Sequence, residues 1–134
     1  MAYETALWEL QKAIYQRLST DQRLLFLVTG VFDATGENQV YPYVVIGEPS
    51  VLPLDTKSTF GEEISVTIHA WSDYSGKKQA YDILDACLSA LSYKLDMTGF
   101  ETLKVERTGL QVFDDIDPSI RHGVLRMRYS IKNI

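Results

Sequence analysis

The chain has 134 residues, is 46% hydrophobic and 23% charged, and carries a formal net charge of −5. This is an ordinary composition for one globular domain, and at this length a chain buries roughly two thirds of its unfolded surface without disulfides or metals. The acidic balance argues against generic nucleic-acid binding, which relies on clustered positive charge, and no stretch approaches the ~18 apolar residues that span a bilayer.

A lone cysteine, Cys87, rules out an intrachain disulfide and suits a reducing compartment. The opening MAYETALWELQK has acidic residues and no basic n-region, so it does not read as a signal peptide. There is no internal repeat or low-complexity tail. The expectation is a soluble domain over 1–134 that is not exported by the general route and has no membrane partner.

Tyr3 to Leu18 reads as a helix, with Leu7, Leu10, Ile14 and Leu18 on one face. Trp8 and Tyr15, seven apart, form an aromatic ridge beside that stripe. The ridge is either a partner surface or a second packing face. Asp21 can cap a short helix, QRLLFLV, that stops at Gly30. GVFD is a possible brief strand, and ATGENQ is a polar loop.

Tyr43 to Gly47 is predicted as a covered strand, with Pro42 at its first position. From Glu48 to Gly61, Pro49, Pro53 and the polar residues predict an extended, irregular arm. Glu62 to Ser72 alternates: Ile64, Val66, Ile68 and Ala70 face inward, while Ser65, Thr67, His69 and Trp71 face outward. Ser75 is the expected N-cap of the strongest helix in the chain, GKKQAYDILDACLSALSYKLD, whose apolar stripe runs through Ala80, Ile83, Leu84, Cys87, Leu88, Leu91 and Leu95.

Two strands follow. Leu103 and Val105 are out of step with Leu110 and Val112, so a β-bulge near Thr108–Gly109 is needed to return them to one face. Asp114 to Ser119 is a turn. In the last strand Leu125, Met127, Tyr129 and Ile131 point inward; His122, Val124, Arg126, Arg128 and Ser130 point outward. The fold class is α+β: an antiparallel or mixed sheet of about four strands, helices on one face, and the last two strands a hairpin.

Reactive motifs are missing. VTGVFDATGEN lacks the spacing and lysine of a phosphate-binding loop, and there is neither G-x-S-x-G nor H-E-x-x-H. Cys87 lies on the apolar stripe and reads as a core side chain. His69 and His122 could hold a metal together with Glu62 or Glu63, but no third ligand has helpful spacing. Asp114, Asp115 and Asp117, followed by Pro118, read as a hairpin turn with exposed carboxylates. Arg126, Arg128 and His122 share a polar strand face, which Lys104 and Glu106 extend.

Several segments together resemble a known family. They are LQKAIYQRLSTDQRLLFLVTGVFD, PYVVIGEPS, TFGEEISVTIHAWSDYSGKKQAYDILDACLSAL and RHGVLRMRYSI. In order and spacing the chain is similar to the tail-completion, or head–tail joining, proteins of bacteriophages with long non-contractile tails, especially members from siphophages infecting Bacillus. The resemblance implies a tail-terminator-like fold and no enzymatic residues or cofactors. It implies a virion protein at the head–tail interface, present in the host cytoplasm during assembly. Its partners would be the head connector, the tail tube protein and copies of itself. The copies would form a ring, expected to be a hexamer, around a channel that DNA crosses without specific binding; the free subunit would be monomeric.

A ring needs lateral and axial surfaces, which long polar loops supply. The candidates are Ala34–Gln39 with Glu37 and Asn38, Val51–Gly61 with Leu54, Asp55, Lys57 and Phe60, and Asp114–Ser119 with Asp114, Asp115 and Asp117. Arg126 and Arg128 complete the set. Two other classes stay open on the residues alone. One is a small metal-dependent enzyme using His69, His122 and the acidic turn. The other is a cytoplasmic ligand-binding module with a pocket around Ile83 and Cys87.

Overall fold

The computed structural model describes residues 3–35 and 39–134. Its elements run α1 (Leu7–Ser19), α2 (Gln22–Leu27), β1 (Val31–Phe32), β2 (Tyr43–Pro53), β3 (Gly61–Ser72), α3 (Lys78–Leu91), β4 (Phe100–Asp114) and β5 (Arg121–Asn133). The strands form one five-stranded sheet in the order β1-β2-β3-β5-β4. β1 runs parallel to β2, and all other neighbours are antiparallel. The fifth strand is the brief GVFD segment, which makes the sheet mixed.

Helices cover one face. Ile64, Val66, Ile68 and Ala70 of β3 and Leu125, Met127, Tyr129 and Ile131 of β5 all face them and are buried. They share a cluster with Leu10, Ile14 and Leu18 of α1 and with Ile83, Leu84, Cys87 and Leu91 of α3. Each large side chain removed from water in this way contributes about 1.5–3 kcal/mol. Gly123 makes room for α3, because a Cβ there would stand 2.9 Å from Leu84 Cδ1.

The irregular arm is shorter than Glu48–Gly61. β2 continues through Pro53 and pairs Ser50, Val51, Leu52 and Pro53 with Ser65, Ile64, Glu63 and Glu62. The register shifts between Gly47 and Ser50. Pro49 sits within that irregularity, where a missing N–H removes no ladder bond, and Pro53 closes the strand. Only 54–60 is left as the connection to β3.

The bulge expected near Thr108 lies between Arg107 and Gly109. A second shift separates Thr102 from Lys104. It throws Leu103 out to 44% exposure and leaves Thr102, whose hydroxyl donates to Leu95 O at 3.1 Å, in the interior. Val105, Leu110 and Val112 lie opposite Tyr129, Leu125 and Gly123, on the helix side of the sheet.

Helix ends differ more from expectation. Asp21 caps α2, accepting from Leu24 N at 2.9 Å. Ser75 does not cap α3: the N-cap is Lys77, with no side-chain bond, while Ser75 O accepts from Arg121 Nη2 at 3.1 Å. α3 stops at Leu91, so Leu95 reaches the core from the following loop. The N-cap of α1, Ala6, has no side chain to offer. The carboxylate of Glu62, on β3, takes that role: it accepts from Ala6 N at 2.7 Å and from Thr5 Oγ1 at 3.1 Å. At the other end of α1, Arg17 donates to Ala90 O in the last turn of α3 and to Lys94 O just beyond it, at 2.9 and 3.3 Å.

Candidate functional site

The sheet face away from the helices is graded along the strands. At one end Tyr43, Trp71, His122 and Phe113 lie on a single register line across β2, β3, β5 and β4. Trp71 and His122 stack with centroids 3.8 Å apart at 9°, and Phe113 meets His122 edge-on at 4.8 Å. His69 lies one step further along β3. Its ring lies over Gly47, where any Cβ would come within 2.6 Å of it.

The two histidines do come together, but not with Glu62 or Glu63. Glu62 faces the helices, and Glu63 lies 3.9 Å from Arg128. The carboxylate partner is Glu48, 3.2 Å from His69 Nε2, while His69 Nδ1 and His122 Nε2 are 2.7 Å apart. With ring centroids 4.9 Å apart, those two nitrogens lie nearly on the line joining the rings. Their lone pairs oppose each other instead of converging on a common point, as a metal would require. The arrangement is a hydrogen-bonded chain. Ionised Glu48 only accepts, so His69 donates through Nε2 and accepts at Nδ1, and His122 donates through Nε2. Hydrogen bonding to His69 lowers the Glu48 pKa. Burial, with His69 beside it, lowers that of His122 to about 4, so its imidazole is neutral at physiological pH. Among the described residues no group of three His, Cys, Asp or Glu side chains is placed to hold a metal ion.

The other end of this face is charged. Arg128 forks onto Glu106, with Nη2 and Nε at 3.0 and 3.3 Å from its oxygens, and Lys104 Nζ is 3.6 Å from the same carboxylate. Arg128 is thus committed within the chain and lowers the Glu106 pKa. Arg126 stands exposed beside Gly109.

The acidic turn is braced. Asp115 N donates to Ile120 O and Ile120 N to Asp117 O, at 2.9 and 3.0 Å. Asp117 accepts from Ser119 N and Oγ, which lowers its pKa, and Asp114 lies 3.4 Å from Arg121 Nε. At the tip Ile116 is fully exposed. The 54–60 connection is held too. Asp55 accepts from Gly61 N at 3.2 Å, Leu54 N donates to Gly61 O at 2.9 Å, and Phe60 stacks on Tyr3 at 4.1 Å. Lys57 is exposed and Leu54 is 39% exposed. Glu37 and Asn38 lie outside the described residues. The candidates therefore fall into separate patches: the 54–60 loop on β2–β3, the 115–120 turn on β4–β5, and Arg126 on the outer face.

Cys87 is fully buried, and desolvation pushes its thiol up to about 12. Ile83 has no exposed surface either and packs in the same cluster. Trp8 and Tyr15 are 63% and 45% exposed, which makes their ridge a surface and not a packing face. Beside them Gln11, Lys12, Val31, Phe32 and Asp33 complete an open groove of about 290 Å³. Sequence reasoning passed over Glu48, Phe113, Leu110 and Ile116. Ile116 carried a usable signal, as an aliphatic side chain set among three aspartates in a turn. Glu48 carried none, because its contact depends on cross-strand register.

The family model for tail completion protein gp17 matches residues 12–132. This defines the class: a structural component of the phage virion, not an enzyme. More particularly, the chain belongs to the tail completion protein gp17 family. It is 37% identical over 134 residues to the tail completion protein gp17 of Bacillus phage SPP1, covering 99% of each chain. The solved structure of that bacteriophage SPP1 gp17 protein superposes with a TM-score of 0.70 over 96% of this chain and 92% of that one, at 37% identity. A chain from the virion of a native gene transfer agent particle superposes with a TM-score of 0.89, covering 98% of this chain and 100% of that one. At 23% identity it shares the fold.

Proposed function

We propose that the protein, acting as one domain, completes the head-proximal end of a long non-contractile phage tail and joins it to the connector of the head. In this reading several copies, six by expectation, form a ring between connector and tail tube. DNA crosses the central channel without specific contacts, and net −5 is compatible with such passage. The free subunit is a monomer that assembles on its target. The observation that carries the reading is the family match over 12–132, together with full-length identity to a protein named for tail completion. The 54–60 loop, the 115–120 turn and Arg126 are the contact surfaces we assign to it. The first two are connections between strands, and Arg126 is an exposed side chain within β5.

Complementation tests the function. Phage lacking this protein should yield filled heads and separate tails, and supplying it in trans should restore infectious particles. Heads and tails that still join without it would overturn the reading. Shortening the 54–60 loop should spare the fold and abolish joining.

A further inference from the structure

The helix layer and the strand layer are laterally out of step, and we propose that this offset is the contact between successive copies of the chain. The proposal rests on the ring reading above and assigns its lateral surfaces.

At the β4 edge the sheet extends past the helices. Leu110 faces the helix side, as its cross-strand neighbour Leu125 does, yet Leu110 is 45% exposed and Leu125 has no exposure. Val105 and Val112, on the same side of β4, are only half-buried. This apolar ledge lacks a helix above it. The opposite edge has the reverse imbalance. There β1 is two residues long, and α1 carries Trp8 and Tyr15 over the open groove beside Phe32. What one edge lacks, an apolar helix ridge, the other has in surplus. Placing the α1 ridge of one copy over the β4 ledge of the next continues both layers and buries both patches.

The charges agree. The ledge carries Arg107, opposite Met127, and the carboxylate beyond Val112 on the same side, Asp114, is already paired with Arg121 at 3.4 Å. The groove carries Asp33, while its Lys12 is already paired with Glu9 at 2.9 Å. Arg107 therefore meets the Asp33 carboxylate, which is favourable for a guanidinium. The contact runs through side chains and not through strand pairing, since two bulges in β4 and Pro49 and Pro53 in β2 interrupt the backbone rows at both edges. Because the two patches differ and lie on opposite edges, the contact is head-to-tail, the kind that closes into a ring.

Chemical crosslinking of assembled particles tests this. Tyr15→Cys and Leu110→Cys are made singly and together in the full chain, at sites exposed enough to leave folding intact. Buried Cys87 stays unreactive. With a short bis-maleimide reagent, the double variant should give a ladder of covalent multimers at least tenfold above either single variant. An intrachain link is out of reach, because the residues sit at opposite edges of the sheet. Particles that contain several copies by mass but give no ladder would overturn this interface and leave the ring standing. Particles that contain one copy would overturn the ring and this proposal with it.

Discussion

Replacing Glu62 with alanine removes the acceptor that closes the start of α1. Two bonds disappear, from Ala6 N at 2.7 Å and Thr5 Oγ1 at 3.1 Å, and the first is buried. A hydrogen bond to a charged acceptor contributes about 1.5–3 kcal/mol, and the Ala6 N–H would be stranded where water cannot reach it. Against this, removing a carboxylate that is only 7% exposed recovers part of its desolvation cost. The net loss should be about 2–3 kcal/mol for Glu62→Ala. It should be roughly 1 kcal/mol for Glu62→Gln, which keeps an acceptor but loses the charge that favours a helix N-terminus. Urea denaturation reads this directly: with m of about 1–3 kcal/mol/M, the alanine midpoint should fall by about 0.7–3 M. A midpoint unchanged in Glu62→Ala, or an equal fall in Glu62→Gln, would refute the argument that this carboxylate caps α1.

Arg17→Ala should cost about 1–2 kcal/mol in the same assay, because Ala90 O and Lys94 O lose their donors. Tyr129→Phe should be neutral or stabilising by up to about 1 kcal/mol: the Tyr129 hydroxyl is buried without a partner among the described residues, and burial raises its pKa. A clear loss of stability would show that the hydroxyl is satisfied. His122 has its folded pKa lowered from 6.5 to about 4. Its neutral form therefore favours the fold fully above pH 6.5, and that contribution is lost as pH falls toward 4. The part lost is about 1 kcal/mol after allowance for solvent screening at this partly exposed site. His122→Phe should flatten the stability–pH curve between 6.5 and 4, as followed by thermal melts at closely spaced pH values.

Periodicity carried the core. Alternation in β3 and β5 and the stripe of α3 selected side chains that are buried, and the parity change between Leu103–Val105 and Leu110–Val112 located a real bulge at Arg107–Gly109. The prolines misled because their effect depends on register. Pro49 looks like a strand terminator, yet the register shift lets β2 pass through it. The α1 cap was illegible for a similar reason: Ala6 offers nothing locally, and its acceptor comes from Glu62, 56 residues away.

By itself the sequence determined the α+β class, the inward faces, the buried Cys87 and the likeness to tail completion proteins. All of these are written in local spacing or in the order of segments. The tertiary structure alone decided which distant residues meet. It joined Glu48 to His69 and His122 in a chain that cannot converge on a metal, and it committed Arg128 to Glu106. It also offset the two layers so that Trp8 and Tyr15 stand exposed at one edge and Leu110 at the other. Cross-strand register and the lateral placement of helices on a sheet arise from packing many segments at once, and no short window of sequence encodes them.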